Sequence, residues 1–346
     1  MSTISTCIIV KNEIKNLPFL VDDLRKFSDE IIIVDTGSDD GTIEWLKENQ
    51  DNVLKLHHFQ WINDFSAARN YSFSLATSKW IFWCDADDRI SDNLINDIIN
   101  IKGILGIGNS NMYIMNYLFA PNCEVPRMSL MKRDDNPTWY GVCHEYVEVD
   151  NQVCGEFDKE SMILHQREHI HSDRNLNIFI NQILQGNALT SRDIYYYSCE
   201  LRDNGYMDKA GEVVLKSLYD IWYVDAWNAI TSILVNRWVK LDYIDEGLTI
   251  LNNICSLRET RGDVKFIKYY IEYMVNQDLS TFIDGCKDVI NTELSGLDTY
   301  LENKIYSKVM PAINLYRFTD DLTMIDIIKE YKDVSIDAYN FLKEIE

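Results

Sequence analysis

Short apolar runs alternate with polar, helix-like segments through the first third of the chain, and this alternation constrains the fold more than any other feature. The runs typical of buried strands lie at 5–10, 30–35, 53–59, 80–84 and 112–118. The segments with the periodicity and start signals of helices lie at 17–27, 42–49, 64–76 and 91–101. Strands that alternate with helices predict an α/β fold, with a mostly parallel sheet wrapped by helices.

The alternation loses its regularity after about residue 125, and a helical pattern follows from about residue 173. Three of the five prolines, Pro121, Pro126 and Pro137, lie near this change and predict loops and edge strands. With 346 residues, the chain also exceeds the length at which a single hydrophobic core usually stops growing. We therefore predict two domains, an α/β domain at 1–170 and an all-α domain at 171–346.

A weak repeat lies in the predicted helical domain. The turn sequence Asn-Gly-Tyr-Met-Asp-Lys-Ala, which ends at Ala210, resembles Leu-Asp-Tyr-Ile-Asp-Glu-Gly, which ends at Gly247, 37 residues later. A more divergent third copy spans 278–284. A period in the mid-thirties is typical of tetratricopeptide hairpins, which stack into concave surfaces for protein or peptide ligands. An ordinary helical bundle is the alternative.

The formal charge of −22, from 55 Asp and Glu against 33 Lys and Arg, excludes several classes of partner. Contacts with nucleic-acid phosphates and with anionic membrane surfaces both require a basic face. The second domain is itself acidic, since residues 171–346 carry 18 Lys and Arg against 28 Asp and Glu, a net charge of −10. An anionic ligand of this protein therefore needs an additional source of positive charge at its site.

The amino terminus lacks the basic region and apolar run of a secretion signal, and no apolar stretch reaches the length of a membrane-spanning helix. The eight cysteines are scattered and include no Cys-x-x-Cys pair. This distribution favours reduced thiols over a disulfide framework or a zinc site. We therefore expect a cytoplasmic protein without a transmembrane segment.

Carboxylates follow two of the predicted strands. Glu13 follows the run 5–10, and Asp35 ends the run 30–35. Because ligands of open α/β sheets bind at the carboxyl ends of the strands, an acidic residue there can bind a ribose hydroxyl or the N–H of a base. The sequence from Asp35 to Gly41 is also typical of a tight strand-to-helix turn, so a structural role is the alternative.

A third segment, Asp-Phe-Ser-Ala-Ala-Arg-Asn at 64–70, opens a predicted helix. Asp64 at its start interacts favourably with the helix dipole. Arg69 is one of few cations near the predicted cleft and is a candidate to face a pyrophosphate. A structural or surface arginine is an equal alternative.

The fourth segment places three carboxylates, Asp85, Asp87 and Asp88, directly after the apolar run 80–84. Neighbouring like charges destabilise a fold unless a cation or solvent compensates for them. An Asp-x-Asp sequence at a strand end provides oxygen ligands for Mg²⁺ or Mn²⁺, which retain water and bridge phosphate oxygens. A solvated loop that caps the next helix is the alternative.

The four segments together resemble family 2 glycosyltransferases, closely over residues 5–90 and more loosely over 125–165. The resembling motifs are Val-Lys-Asn-Glu, Ile-Val-Asp-Thr-Gly-Ser-x-Asp-Gly-Thr, Asp-Phe-Ser-x-Ala-Arg-Asn and Asp-Ala-Asp. The resemblance implies the nucleotide-sugar fold called GT-A, a Rossmann-like mixed sheet with helices on both faces. It also implies a UDP-sugar site at Val10, Asn12, Glu13, Asp35, Asp64, Arg69, Asp85 and Ala86.

The resemblance further implies individual roles. Asp35 would lie near the uracil or ribose, Asp85 would contact the ribose or a metal-bound water, and Asp87 would bind the Mg²⁺ or Mn²⁺ ion directly. His165 matches the position at which enzymes of this fold often complete the metal site. His165 also begins a His-x-x-x-His-x-His run that can itself bind a metal, although we favour a loop in which His169 and His171 are solvated.

The segment Trp-Tyr-Gly-Val-Cys-His-Glu at 139–145 resembles a stretch on the acceptor side of similar enzymes. An inverting transfer requires a base, because the nucleophile loses a proton as it attacks the anomeric carbon opposite the departing diphosphate. Glu145 is the candidate base, with His144 as its neighbour or substitute. A structural His-Glu pair on a strand is the alternative.

A family 2 domain followed by tetratricopeptide-like helices resembles bacterial peptide glycosyltransferases, including those that modify glycocin bacteriocin precursors or flagellin. The resemblance implies transfer of a hexose from UDP-glucose or UDP-GlcNAc to a Ser, Thr or Cys side chain of a peptide or protein. The helical domain would then bind the acceptor or form a homodimer. Two alternatives are a glycosyltransferase of cell-surface glycan or lipopolysaccharide core assembly, and a scaffold with an inactive transferase domain.

Overall fold

The structure is a computed structural model that describes residues 2–105, 108–120, 123–166, 173–217, 248–249, 252, 262–292, 305–333 and 335–345. The chain divides into two compact units, Met1–Gln185 and Gly186–Glu346. This division follows the helix that begins at Arg174, whereas the boundary predicted from the sequence precedes it.

The first unit is built on one large mixed sheet. Its strands are β1 (Ile4–Val10), β2 (Glu30–Asp35), β3 (Leu54–His58), β4 (Trp80–Trp83), β5 (Asp88–Ile90), β6 (Met112–Ala120), β7 (Cys123–Lys132), β8 (Thr138–Tyr140), β9 (Tyr146–Glu148), β10 (Cys154–Glu156) and β11 (Met162–His165). Its helices are α1 (Leu17–Leu24), α2 (Thr42–Asn49), α3 (Phe65–Ser74), α4 (Asp92–Ile101) and α5 (Arg174–Leu184), with a 3-10 turn at Arg133–Asp135. The sheet order is β3-β2-β1-β4-β7-β6-β11-β5, with β10 paired to β6, while β8 and β9 form a separate hairpin.

Both faces of the central strands are buried, which explains their uninterrupted apolar sequences. On one face, Ile8 and Ile33 pack with apolar residues of α1, α2 and α4. On the other face, Cys7 and Ile32 pack with Phe73 of α3 and with the β8–β9 hairpin. The mixed sheet with helices on both faces is the fold class predicted from the sequence, and it is confirmed.

The parallel strands run from β3 to β4, and the antiparallel strand β7 closes this part of the sheet. The proline-rich stretch predicted as loops and edge strands contains β7, which includes Pro126. Pro126 pairs with Asn116 of β6, and β4 pairs with β7 only near residues 130–132. Proline is tolerated here because only one side of β7 forms ladder hydrogen bonds at this position.

The second unit is helical in its described residues, and this confirms the predicted C-terminal helical region. Its helices are α6 (Ser191–Asp203), α7 (Met207–Ser217), α8 (Gly262–Asn276), α9 (Leu279–Asn291), α10 (Met310–Thr319), α11 (Thr323–Glu330) and α12 (Ile336–Ile345), with a π-helical turn at Ile305–Val309. Phe282 of α9 and Phe341 of α12 lie in separate apolar clusters of described residues. None of the described helices is long and apolar enough to span a membrane.

Two copies of the weak repeat lie at helix starts. In the first copy Gly205 has a φ of +85° and turns the chain from α6 into α7. In the third copy Asp278 caps α9 by accepting a hydrogen bond from the backbone N–H of Thr281. The second copy, at 241–247, lies outside the described residues, so the tetratricopeptide-like repeat stays a prediction. The predicted loop at His169 and His171 also lies outside them.

Candidate functional site

The carboxyl ends of β1 and β4 open into a cavity of about 310 Å³. Because the two strands are parallel neighbours, the residues that follow them meet at one edge of the sheet. Helix α3, the tip of the β8–β9 hairpin, the end of β11 and the start of α5 also contribute to the wall. Nine residues predicted from the sequence line this cavity: Val10, Glu13, Arg69, Asp85, Ala86, Asp87, His144, Glu145 and His165.

Asp35 is not among the lining residues, and its carboxylate is engaged in its own turn. It accepts hydrogen bonds from the backbone N–H groups of Gly37 at 2.9 Å and Ser38 at 3.2 Å. Gly37 has a φ of +108°, a left-handed conformation that favours glycine. The structure therefore favours the turn role that the sequence left open for Asp35.

Asn12 and Asp64 also lie outside the cavity lining. Asn12, with a left-handed φ of 59°, donates from Nδ2 to a carboxylate oxygen of Asp39 and accepts from the Asp39 backbone N–H, both at 2.8 Å. Asp64 caps α3 by accepting hydrogen bonds from the Ala67 backbone and from the Ser66 hydroxyl. Both residues therefore shape the loops that border the cavity.

Arg69 is buried and pairs with two carboxylates. Its Nη2 lies 2.7 Å from Oδ1 of Asp85, and its Nε lies 2.6 Å from Oε1 of Glu145. The guanidinium carbon lies 4.7 Å from the ring centres of both Trp83 and Trp139, which is a favourable cation–π arrangement. Since its charge is already compensated, the structure favours the structural alternative over a pyrophosphate contact.

A second buried arginine, Arg127 of β7, was not predicted as part of the site. Its Nη2 lies 2.9 Å from Asp85, its Nη1 lies 3.1 Å from Asp88, and it contacts the ring of Trp83 at 3.8 Å. Burial acts to raise the pKa of Asp85, but Arg127 and Arg69 together hold that pKa well below its usual range. The sequence signal for Arg127 is a charged residue between the apolar residues Val125, Pro126 and Met128, since a charge that is buried among apolar neighbours requires a partner.

Asp87 has a different environment, although it lies two residues from Asp85. Among the described residues, the only ion-pair partner of its carboxylate is His165, with Nδ1 at 3.8 Å. Burial, together with the negative charge of Asp85, raises the pKa of Asp87 to about 6. Negative charge that is only partly compensated at a cavity wall is the electrostatic condition that favours a bound cation.

Asp87, Asp88 and His165 are close enough to hold a metal ion, since one ligand atom from each lies within 4.8 Å of the others. Asp88 is fully buried and already hydrogen-bonded: it accepts from the Asp85 backbone N–H, from Arg127 and from the hydroxyl of Tyr117. His165 Nδ1 lies 3.3 Å from Asp88, and this hydrogen bond raises the pKa of His165. Asp88 and Tyr117 therefore orient the imidazole.

Glu145 is the last residue of the connection between β8 and β9, and its side chain is 11 % exposed. His144 precedes it with a left-handed φ of 52°. The cavity is also lined by two cations that were not predicted from the sequence, Lys11 and Arg174. Arg174 lies at the start of α5, with its guanidinium 5.0 Å from the ring centre of Phe65.

Residues 5–101 match the family model described as Glycosyl transferase family 2. Over 90 residues the chain is 40 % identical to a TPR repeat-containing protein of Synechococcus elongatus, which covers 26 % of this chain and 22 % of that protein. Over 116 residues it is 32 % identical to the SPbeta prophage-derived glycosyltransferase SunS of Bacillus subtilis, which covers 34 % of this chain and 27 % of SunS. The chain therefore matches only about a quarter of the length of each relative.

Among solved structures, S. aureus TarS 1-349 in complex with UDP-GlcNAc is similar to this chain with a TM-score of 0.42 and 13 % identity. The superposition covers 81 % of this chain and 89 % of that one.

Proposed function

We propose that the chain is an inverting, metal-dependent glycosyltransferase with a UDP-sugar donor, because residues 5–101 match the Glycosyl transferase family 2 model. One observation carries the proposal. The same cavity is lined by two candidate metal ligands, Asp87 and His165, and by a candidate base, Glu145. A donor diphosphate and an acceptor nucleophile require these two kinds of group within one site.

The residues present fit a divalent cation. Carboxylate oxygens are preferred ligands of Mg²⁺ and Mn²⁺, and Mn²⁺ also accepts an imidazole nitrogen. We assign Asp87 and His165 as the direct ligands, because the oxygens of Asp88 already accept hydrogen bonds within the protein. When bound, the ion would neutralise the diphosphate and help it to leave.

The donor is assigned to the wall formed by the ends of β1 and β4. Val10 and Glu13 would contact the nucleoside, and Asp85 and Ala86 would border the ribose. Asn12, Asp35 and Asp64 would act indirectly, through the loops that they stabilise. Lys11 and Arg174 supply positive charge to a cavity that is otherwise rich in carboxylates.

Glu145 is assigned as the base. Its Oε1 accepts the hydrogen bond from Arg69, and within the described residues its Oε2 accepts none. Oε2 would take the proton of the acceptor hydroxyl or thiol as that group attacks the anomeric carbon. The bond from this carbon to the diphosphate oxygen breaks on the opposite side, so the product has inverted configuration.

The proposed acceptor is a Ser, Thr or Cys side chain of a peptide or protein, and the proposed sugar is a hexose from UDP-glucose or UDP-GlcNAc. The net charge of −10 on residues 171–346 favours a basic peptide, because charge complementarity steers encounter. Binding of a basic synthetic peptide to the full chain, compared with an acidic peptide of equal length, tests this part. Equal binding of the two peptides at low salt would contradict it.

Release of UDP from UDP-glucose and UDP-GlcNAc, with Mn²⁺ and without an acceptor, tests the enzymatic proposal. We expect release that requires Mn²⁺ and is lost in Asp87→Asn. The matched control is Asp92→Asn, because Asp92 is an acid of α4 with a side chain 89 % exposed. Release that persists in Asp87→Asn would reject the metal assignment, and a wild-type protein that neither binds nor hydrolyses either donor would favour the scaffold alternative.

A further inference from the structure

Helix α3 is joined to the segment 139–145 by three separate links. The side-chain amide of Asn70 donates from Nδ2 to the backbone carbonyl of Trp139 at 2.9 Å, and its Oδ1 accepts from the Trp139 backbone N–H at 2.8 Å. The backbone N–H of Phe65 donates to the carbonyl of Val142 at 2.9 Å. Finally, Arg69 donates to Glu145 at 2.6 Å. The links are therefore distributed along the whole segment.

The hairpin needs these links because it is not part of the main sheet. Strands β8 and β9 pair only with each other among the described strands. The base of the hairpin is tied down separately, by the backbone hydrogen bond from Asp150 to Asp135. The tip contains two residues with positive φ, Gly141 at 88° and His144 at 52°, which an unsupported loop does not hold in one conformation.

The side-chain amide of Asn70 forms hydrogen bonds with both the backbone N–H and the backbone C=O of Trp139. A residue of a neighbouring β-strand would make the same two hydrogen bonds. A shift of the segment by one residue would break both hydrogen bonds and would leave the backbone groups of Trp139 unpaired. Trp139 is itself buried, with its ring centre 4.6 Å from that of Trp83. Packing therefore buries Trp139, and Asn70 sets the register of the segment.

We propose that Asn70 and Arg69 are positioning residues that hold Glu145 at the cavity wall in register with the donor side of the site. Asn70 acts through the backbone of Trp139, and it does not itself line the cavity. The guanidinium of Arg69 pairs with both Glu145 and Asp85. It therefore connects the proposed acceptor side of the cavity, at Glu145, with the proposed donor side, at Asp85. This inference rests on the proposed function, in which Glu145 is the base.

Asn70→Asp is the sharpest variant, because it keeps an oxygen for the Trp139 N–H but removes the donor to the Trp139 carbonyl. Small displacements of a catalytic group strongly reduce rate, so we expect kcat for UDP-GlcNAc hydrolysis to fall about tenfold. The KM for UDP-GlcNAc should stay within about twofold, because the donor wall is unchanged. Asn49→Asp is the matched control, since Asn49 makes an exposed side-chain hydrogen bond to the carbonyl of Trp45 and should keep wild-type kinetics.

The Glu145→Gln background separates positioning from general stability. If Asn70 acts through Glu145, then Asn70→Asp combined with Glu145→Gln should be no slower than Glu145→Gln alone. Losses that multiply, or a wild-type kcat in Asn70→Asp, would overturn the proposal. A parallel fall in thermal midpoint and in kcat across both backgrounds would also overturn it, because a merely structural role predicts that result.

Hydrogen–deuterium exchange keeps this inference separate from the proposed function. Asn70→Asp should raise amide exchange in 139–145 but not in β1 or β4, whether or not the chain hydrolyses UDP-GlcNAc. Unchanged exchange in 139–145 would contradict the positioning role. An inactive wild type with increased exchange in the variant would instead reject the enzymatic proposal alone.

Discussion

Asp85 and Asp87 are separated by one residue in the same turn, yet their surroundings are opposite. Asp85 receives hydrogen bonds from two buried arginines, Arg69 and Arg127, at 2.7 and 2.9 Å. Asp87 has only the imidazole of His165 within ion-pair distance among the described residues, at 3.8 Å. Burial acts to raise the pKa of both carboxyls, but the arginines hold that of Asp85 well below its usual range, whereas that of Asp87 rises to about 6.

This difference separates carboxylates with a structural role, such as Asp85, from carboxylates that are candidates to bind a ligand, such as Asp87. A buried charge that the protein itself compensates is part of the architecture, and its loss should be seen in stability. A buried charge that the protein compensates only in part at a cavity wall destabilises the fold unless a ligand binds there, so its loss should be seen in function. The following variants test that separation.

The largest effect is expected for Arg127→Gln. It leaves Asp85 and Asp88 without one of their cations, and the free energy of unfolding should fall by about 3–5 kcal/mol. Urea unfolding measures this change. The matched control is Arg25→Gln, which removes an exposed pair with Asp51 and should cost at most about 1 kcal/mol. Comparable losses in the two variants would contradict the structural role of Arg127.

The double variant Arg127→Gln with Asp88→Asn tests whether missing charge compensation causes this loss of stability. Removing the negative charge that lost its partner should restore part of the unfolding free energy. No restoration would show that packing, rather than charge compensation, accounts for the loss.

Asp87→Asn should reduce activity and leave stability unchanged, which is the reverse of the effect expected for Arg127→Gln. Without a direct metal ligand, Mn²⁺-dependent hydrolysis of UDP-sugar should fall by roughly 100- to 1000-fold. The thermal midpoint measured in EDTA should not fall, because the amide removes repulsion from Asp85 and Asp88. A destabilised Asp87→Asn protein would show that Asp87 has a structural role like that of Asp85, and would contradict the proposed difference between them.

Glu30 extends the comparison to a carboxylate far from the cavity. It accepts hydrogen bonds from Ser5, Lys55 and Thr77, and these outweigh the opposing effect of burial and lower its pKa to about 2. Because the folded pKa lies below the unfolded one, the stabilisation is present above about pH 4.5 and is lost as the pH falls toward 2. Solvent around the partly exposed Lys55 side chain screens its attraction to Glu30, so we expect a contribution of about 2 kcal/mol to the free energy of unfolding.

Urea unfolding of wild type and Glu30→Gln at pH 5.5, 4.5 and 3.5 measures this contribution. The difference between the two proteins should narrow as the pH falls. A difference that is independent of pH would show that Glu30 stabilises the fold through packing alone.

The smallest effect is expected at Ser129 of β7, whose buried hydroxyl has no hydrogen-bond partner among the described residues. This neutral group is uncompensated but does not line the cavity. Ser129→Ala should therefore leave the free energy of unfolding equal or raise it by at most about 1 kcal/mol. A thermal scan is sufficient, and a clear loss of stability would mean that the hydroxyl has a partner.

The elements of the first unit were predictable because their signals are local. The bounds of β2 and α2 agree with the predicted segments 30–35 and 42–49, since each segment has an uninterrupted pattern between clear turn residues. Helix α1 ends at Leu24 rather than at residue 27, because the chain turns there and Phe27 packs edge-on against Phe82 of β4. The contact between Phe27 and Phe82 joins residues far apart in the chain, so no local sequence pattern predicts it.

The candidate site was predictable where residues follow strands and less so where a local partner competes. Asp85 and Asp87 reach the cavity because they directly follow β4. Asp35 and Asp64 have the same residue type, but backbone N–H groups within three residues capture their carboxylates. Arg127 was missed because its partners lie about forty residues earlier in the chain, and only the fold brings β7 next to β4.

The contact of Arg69 with Trp83 and Trp139 has a spectroscopic consequence. Indole emission responds to nearby charge, and both rings lie 4.7 Å from a guanidinium whose partners line the cavity. A ligand that draws Asp85 or Glu145 away from Arg69 changes the electric field at both rings. Intrinsic fluorescence should therefore report occupation of the cavity in unlabelled protein, and the cavity carries its own optical probe.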